Sequence, residues 1–134
     1  MSESAPHPNA ALIRRYLAAI EARDIETLTE VLSPDIVQRE LPNKLMPEGA
    51  TRTREKMMEG VERGAKALRS ERYEVEDILI DGDRAACRIR WTGVLAVPVL
   101  GKEPGDELQA AFGLFLTIRD GQVVEQFNYD CFLP

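Results

Sequence analysis

The sequence predicts an α+β domain in which three N-terminal helices pack on one face of a strongly curved antiparallel sheet. Through most of the first 68 residues, apolar side chains recur at intervals of three and four, the period of an amphipathic helix. After Ser70 the spacing changes to alternation, and two alternating segments are each divided by a turn sequence, DGD or RDGQ, as in β-hairpins. Strands that follow a run of helices are typical of α+β folds.

The helical region divides into three segments. The first is expected to begin at Asn9, a residue type that caps helix N-termini. Its apolar stripe consists of Leu12, Ile13, Tyr16, Leu17 and Ile20. The second, DIETLTEVLS, is expected to be capped by Asp24 and to end at Ser33, because a residue before proline is pushed away from helical angles. A short strand, IVQREL, and a loop rich in helix breakers, PNKLMPEG, come next. A third helix is expected from about Thr51 to Leu68. Its predicted inward face consists of Met57, Met58, Val61, Ala65 and Leu68.

The strand region reads as two hairpins, YEVEDILI with RAACRIRWTGVLAV and ELQAAFGLFLTI with VVEQFNYDCF, separated by the loop PVLGKEPGD. Leaving Arg88 and Arg90 unpaired in a core would cost roughly several kcal/mol each. The alternate row should therefore face inward; it consists of Cys87, Ile89, Trp91 and Gly93. The expected inner row of the next strand consists of Ala110, Phe112, Leu114, Leu116 and Ile118. The last strand is ambiguous, because both of its rows could be buried. One row carries amides and a carboxylate, and the other carries aromatic rings.

Composition excludes several function classes. A chain of 134 residues with a net charge of -6 is expected to form one domain, residues 1–134, with a flexible tail at residues 1–8 that includes His7. The absence of a Lys/Arg block argues against nucleic acid as a partner, and no apolar run reaches the roughly 20 residues that span a bilayer. The N-terminus MSESAPHPN has no secretion-signal pattern, so Cys87 and Cys131 are expected to be reduced, buried thiols in a cytoplasmic protein. Without a phosphate-binding glycine loop or a His/Cys cluster, no cofactor or metal is expected.

Two segments, YLAAIEARDIETLTEVLSPD and DGQVVEQFNYDCF, carry a family resemblance when taken in this order. Together with the third helix and the hairpins, they resemble the nuclear transport factor 2-like superfamily, also called SnoaL-like, over nearly the whole chain. The resemblance implies a cone-shaped sheet whose helix-covered cavity holds a ligand, with Gln126, Asn128 and Asp130 facing that cavity. It also implies an outer row that commonly forms a homodimer contact, consisting here of Phe127, Tyr129 and Cys131. From the residues alone, the opposite arrangement, with the polar row in water, stays open.

The same resemblance implies candidate catalytic groups. Glu40 falls where ketosteroid isomerases carry a carboxylate base, and Tyr16 falls where they carry the tyrosine that binds the enolate oxygen. A carboxylate in an apolar pocket can exchange a proton with carbon near neutral pH, and a phenol can stabilise the resulting oxyanion. SnoaL-type cyclases use an aspartate of the last strand as general acid–base group; Asp130 could play that part, although its offset from Phe127 departs from the family pattern. The remaining candidate ligand-binding residues are Gln38, Met57, Val61, Trp91, Phe112, Leu114, Gln126 and Asn128.

Three functions stay open. The leading hypothesis is a cofactor-free isomerase, cyclase or lyase that uses a pocket carboxylate to move a proton on a small hydrophobic carbonyl compound. A non-catalytic small-ligand-binding or dimeric scaffold protein is the alternative, and an epoxide-hydrolase-like enzyme is a further one. No subtype is fully matched, because Leu114 replaces the second oxyanion-binding acid and RIRWTGV lacks the Arg-x-Asp pair of the hydrolases. Tyr16 could equally be core, Glu40 a solvated or ion-paired carboxylate, and Asp130 a residue that holds a loop or pairs with an arginine.

Overall fold

The computed structural model describes residues 7–134, which form three helices and one six-stranded sheet. The elements are α1 (Pro8–Ala22), α2 (Ile25–Val31), β1 (Leu32–Glu40), β2 (Ala50–Arg52), α3 (Arg54–Ala67), β3 (Leu68–Asp81), β4 (Arg84–Leu95), β5 (Glu107–Arg119) and β6 (Gln122–Phe132). The strand order is β2-β1-β6-β5-β4-β3. The predicted α+β architecture is confirmed, with one correction to the sheet. Strand β1 pairs with β6 in parallel, because the chain between them makes the long crossover that parallel pairing needs.

The start of α1 differs from the sequence prediction. His7 is the N-cap, and its Nδ1 accepts a hydrogen bond from the backbone N–H of Asn9 at 3.0 Å. Asn9 therefore lies inside the first turn, and His7 is part of the fold; of the predicted tail, residues 1–6 lie outside the described residues. The predicted cap of α2 is confirmed, since Asp24 Oδ1 accepts from the backbone N–H of Thr27 at 3.1 Å.

The third helix begins later in the structure than the sequence predicts. Residues 50–52 form β2, which pairs with the end of β1, and α3 follows with Thr53 as its N-cap. A strand of three residues is too short to show alternation in the sequence. Of the predicted inward face of this helix, Met57 is buried, but Ala65 is exposed and Leu68 already belongs to β3.

The core lies between the helices and the inner rows of the sheet. Ile13 of α1, Leu28 of α2 and Ile89 of β4 are at most 1% exposed. The predicted inner rows of β4 and β5 are confirmed, with Arg88 and Arg90 on the outside. Cys87 is buried in this core. Cys131 is exposed, contrary to the prediction, because it belongs to the outer row of β6.

A bulge near the start of β6 changes which of its residues face inward. Thr117 pairs with Glu125, whereas the next β5 residue, Ile118, pairs with Val123. One β6 residue is thus left over between the two pairs, and an extra residue shifts the alternation of a strand by one position. Val123 is buried before the bulge and Gln126 after it, so the amide row faces inward only because of the bulge.

Candidate functional site

A cavity of about 380 Å³ lies between the helices and the concave face of the sheet. All three helices and all six strands contribute to its lining. All the residues predicted as catalytic or ligand-binding line it: Tyr16, Gln38, Glu40, Met57, Val61, Trp91, Phe112, Leu114, Gln126, Asn128 and Asp130. The structure therefore brings the predicted set together around one space.

A chain of side-chain hydrogen bonds runs along the cavity wall from α1 to the end of β6. The hydroxyl of Tyr16 donates to Gln126 Oε1 at 2.7 Å. Gln126 Nε2 donates to Asn128 Oδ1 at 3.3 Å, and Asn128 Nδ2 lies 3.3 Å from each oxygen of Asp130. Since each amide accepts on one side and donates on the other, the chain fixes the orientation of both amides. The last group in this chain of hydrogen bonds is the carboxylate of Asp130.

Asp130 has the electrostatic character of an acid–base group. Burial raises the pKa of its carboxyl group from 3.8 to about 6, and the negative charge of Glu40 acts in the same direction. The hydrogen bond from Asn128 and the positive charge of Arg52 lower the pKa and offset part of this effect. Such a carboxylate exchanges protons close to neutral pH.

Glu40, the other predicted carboxylate, is held in an ion pair. Its Oε1 accepts from Arg52 Nη1 at 2.7 Å and its Oε2 from Asn43 Nδ2 at 2.7 Å. Both members of the pair are mostly buried, with side chains 12% and 14% exposed. Arg52 also donates to Gln38 Oε1 at 3.3 Å, and Gln38 Nε2 donates to Asn128 Oδ1 at 3.1 Å. The pair thus supports the amide chain from the side of β1, which matches the ion-paired alternative left open for Glu40.

Tyr16 is a neutral donor with its hydroxyl already engaged. Burial raises the pKa of this phenol beyond its usual range, and the side chain is 3% exposed. Its one O–H is directed at Gln126, not at open cavity space. This geometry suits a residue that orients the amide chain.

An aromatic wall and a third carboxylate line another part of the cavity. Trp91 and Phe112 stack with ring centroids 5.6 Å apart. The indole Nε1 donates to Glu71 Oε1 at 3.0 Å, and burial together with the charge of Glu71 raises the pKa of Tyr73 well above its usual range.

Sequence reasoning missed three of the polar lining residues, namely Arg52, Glu71 and Tyr73. Glu71 and Tyr73 share the parity of Val75 on β3, and this shared row was the available signal. The sequence predicts a helix at Arg52 and contains no signal that places this residue opposite Gln38.

Within residues 7–134, no group of three or more His, Cys, Asp or Glu side chains is arranged to hold a metal ion. Over the same residues, no helix combines the length and the apolar character needed to cross a membrane.

The sequence matches the family model of the SnoaL-like domain over residues 13–126. The chain belongs to the SnoaL-like family. A comparison with curated proteins finds no match. Among solved structures, this SnoaL-like chain is similar to IdmH of Streptomyces antibioticus, proposed to be a polyketide cyclase, at 26% identity over 92% of both chains with a TM-score of 0.80. AclR of Streptomyces galilaeus, proposed to be a hydroxylase, is 28% identical over 90% of this chain and 77% of its own, with a TM-score of 0.74.

A SnoaL-like protein from Jannaschia sp. CCS1, also proposed to be a polyketide cyclase, is 20% identical over 97% of this chain and 91% of its own. Its TM-score is 0.73, and at this identity the likeness concerns the fold alone. The cone-shaped architecture implied by the sequence resemblance is thereby confirmed.

Proposed function

We propose that this SnoaL-like protein is a cyclase-type enzyme that moves a proton on a small, largely apolar carbonyl compound, with Asp130 as the acid–base group. The observation that carries the proposal is the amide chain that ends on Asp130 inside the cavity. The likeness to IdmH, whose proposed activity is that of a polyketide cyclase, supports the same class of chemistry.

Asp130 performs the proton transfer in this proposal. With a pKa of about 6 it is largely ionised at neutral pH, yet it is a stronger base than an exposed aspartate. It removes a proton from the carbon next to a carbonyl group, and the electron pair of the broken C–H bond moves onto the carbonyl oxygen as an enolate. In a cyclase reaction, the enolate carbon then forms a bond to a second carbonyl carbon. The oxygen of that carbonyl takes the proton back from Asp130, so the acid–base group is regenerated.

The amides of Gln38 and Gln126 supply donors for the developing enolate oxygen. Each primary amide has two N–H bonds, and the hydrogen bonds to Asn128 use one of them from each side chain. The second N–H of each is left for the substrate. Donors that are already oriented stabilise an oxyanion at little reorganisation cost. Tyr16 contributes by holding Gln126, and we assign it a positioning role.

A specific arrangement also favours a second candidate function, the opening of an epoxide by water. The side chain of Arg52 binds Glu40 directly, and it is near enough to Asp130 for its charge to lower the pKa of that carboxyl group. Two carboxylates and an arginine can orient and deprotonate a water molecule. The product separates the two candidates, because an epoxide would yield a diol.

The experiment that tests the proposal is a screen of cyclic ketones, enones, lactones and epoxides in D2O, followed by NMR and product analysis. The wild-type protein should incorporate deuterium next to the carbonyl group of at least one compound. Asp130→Asn should lower that rate at least about a hundredfold, the usual contribution of a general acid–base group. Glu125→Gln is the matched control, because Glu125 lies on the other row of β6 and does not line this cavity.

Two results would contradict the enzyme proposal. Exchange that survives in Asp130→Asn would remove the aspartate from the mechanism. Binding of compounds with neither exchange nor turnover would favour a non-catalytic ligand-binding protein.

We also propose that the outer face of the sheet forms a homodimer. Phe115 and Tyr129 lie there edge to face, 5.6 Å apart, and each is about half exposed. Leu79 on the same sheet is 64% exposed. Exposed apolar rings on one face are typical of an interface. Light scattering on the wild-type protein should give about twice the chain mass of 15.0 kDa. Phe115→Glu should give the mass of a single chain. Leu100→Glu, in the exposed loop, is the control and should leave the dimer intact. A monomeric wild-type protein would refute this proposal.

A further inference from the structure

Glu71 is a nearly buried carboxylate that the proposed proton transfer does not use. Its side chain is 8% exposed and lines the cavity. Trp91 Nε1 donates to its Oε1 at 3.0 Å. Its Oε2 has Arg23 as ion-pair partner, 3.7 Å from Nη2, and a side-chain hydrogen bond between Glu71 and Tyr73 contributes to the raised pKa of that phenol. An ionised carboxylate has about four acceptor positions, so these partners leave part of the capacity of Glu71 free.

A glycine on the neighbouring strand makes room for the contact between Trp91 and Glu71. Glu71 pairs across the sheet with Gly93, which follows Trp91 by two residues and lies on the same inner row. A Cβ atom at position 93 would lie 2.6 Å from Trp91 Cη2 and 2.9 Å from Leu68 Cδ2. The glycine therefore leaves the space into which the indole ring folds. One oxygen of the carboxylate is thereby bound by the indole N–H.

Glu71 lies on a different wall of the cavity from Asp130. In the sheet register, Asp130 pairs with Phe112, which pairs with Ile89, which in turn pairs with Val75. Two strands thus separate the two carboxylates, and Glu71 lies four residues before Val75 along β3. A molecule that fills the cavity can contact both groups at once only with different parts of its structure.

We propose that Glu71 is a hydrogen-bond-accepting subsite for a hydroxyl or N–H group of the ligand. The proposal deepens the proposed function, and rests on it only in placing the ligand in the same cavity. A buried carboxylate is costly unless its oxygens are satisfied, and hydrogen bonds to an ionised acceptor are about twice as strong as neutral ones. The substrate therefore carries a donor group remote from the carbon that Asp130 deprotonates. The aromatic wall of Trp91 and Phe112 stacks on the apolar body between them.

The test uses three flat probes with two, one and no hydroxyl donors, in which a methyl ether replaces each missing hydroxyl: 2,6-dihydroxynaphthalene, 6-methoxy-2-naphthol and 2,6-dimethoxynaphthalene. Binding is measured by calorimetry to the wild-type protein, to Glu71→Gln and to Asp130→Asn. In the wild type, each hydroxyl should increase the affinity over its methyl ether. Glu71→Gln keeps an acceptor for the indole N–H but removes the charge, and it should weaken the diol roughly tenfold while changing the dimethoxy compound little.

Glu74→Gln is the matched control, because Glu74 lies on the same strand in an exposed ion pair with Arg72. It changes the net charge equally and should leave all three affinities unchanged. An equal loss for all probes in Glu71→Gln would mean that Glu71 only positions Trp91, and no loss would mean that it contacts no ligand; either result overturns the proposal. If Glu71→Gln does not fold, the wild-type series still decides, since equal affinity for diol and dimethoxy probes overturns it as well.

This test is independent of catalysis. Loss of the diol preference in Glu71→Gln with no deuterium exchange by the wild type would support the subsite and contradict the enzyme. Exchange that depends on Asp130, without any effect of Glu71→Gln on binding, would support the enzyme and contradict the subsite.

Discussion

Replacing Asp130 with asparagine should stabilise the protein at neutral pH while removing its proposed activity. The amide oxygen of the variant can still accept the hydrogen bond from Asn128, but position 130 no longer carries a charge. The difference between an ordinary pKa of 3.8 and about 6 corresponds to roughly 3 kcal/mol in the free energy of unfolding. Since the side chain retains some contact with solvent, we expect about 2 kcal/mol.

The sign follows from the direction of the pKa shift. A carboxyl group whose pKa is raised in the folded state stabilises the fold when it is protonated, and this stability is lost as pH rises through the folded-state pKa. The wild type therefore loses stability between about pH 4 and pH 7, and the asparagine variant does not. Urea denaturation followed by circular dichroism should show the difference between variant and wild type growing by about 2 kcal/mol from pH 4 to pH 8. A difference that is independent of pH would refute the reasoning.

Three further substitutions test the parts of the site separately. Glu40→Gln should lower the free energy of unfolding by about 1–3 kcal/mol through the loss of a buried ion pair, and should reduce turnover far less than removal of the proposed acid–base group. Tyr16→Phe should cost about 1–2 kcal/mol, because a buried amide oxygen loses its donor, and should lower kcat more than it changes KM. Gly93→Ala should displace Trp91 at a cost of about 1–3 kcal/mol and change its fluorescence spectrum, whereas Gly113→Ala, where the new Cβ lies at least 3.9 Å from the nearest atoms, should do neither. Full activity in Tyr16→Phe, a spectrum unchanged in Gly93→Ala, or turnover abolished in Glu40→Gln would contradict the corresponding role.

Most of the helices and strands could be predicted from local periodicity in the sequence. The stripe of α1, the capping of α2 by Asp24 and the alternation of β4 and β5 are each set by neighbouring residues, so the sequence displays them directly. The inward orientation of the amide row of β6 was predicted from the family resemblance. Alternation counted from Val123 would have placed that row outside, because the bulge before Gln126 shifts the alternation by one position.

The parts of the site that escaped prediction depend on contacts between distant segments. Arg52 is a site residue only because β2 is hydrogen-bonded to β1, a pairing of three residues on each side that leaves no periodic signal. The contact of Glu71 with Trp91 depends on Gly93, on the neighbouring strand, which admits the indole ring. Such complementarity depends on the sheet register, which a linear pattern does not contain.

The protonation of Asp130 inside the folded chain tests the central claim most directly. Its carboxyl carbon can be observed by 13C NMR, and the resonance is assigned by its disappearance in Asp130→Asn. The titration midpoint should lie near pH 6, as expected for a carboxyl group with a pKa of about 6 in the cavity wall. A midpoint near pH 4 would show a carboxylate surrounded by bulk water, and the proposed proton transfer would then have no group to perform it.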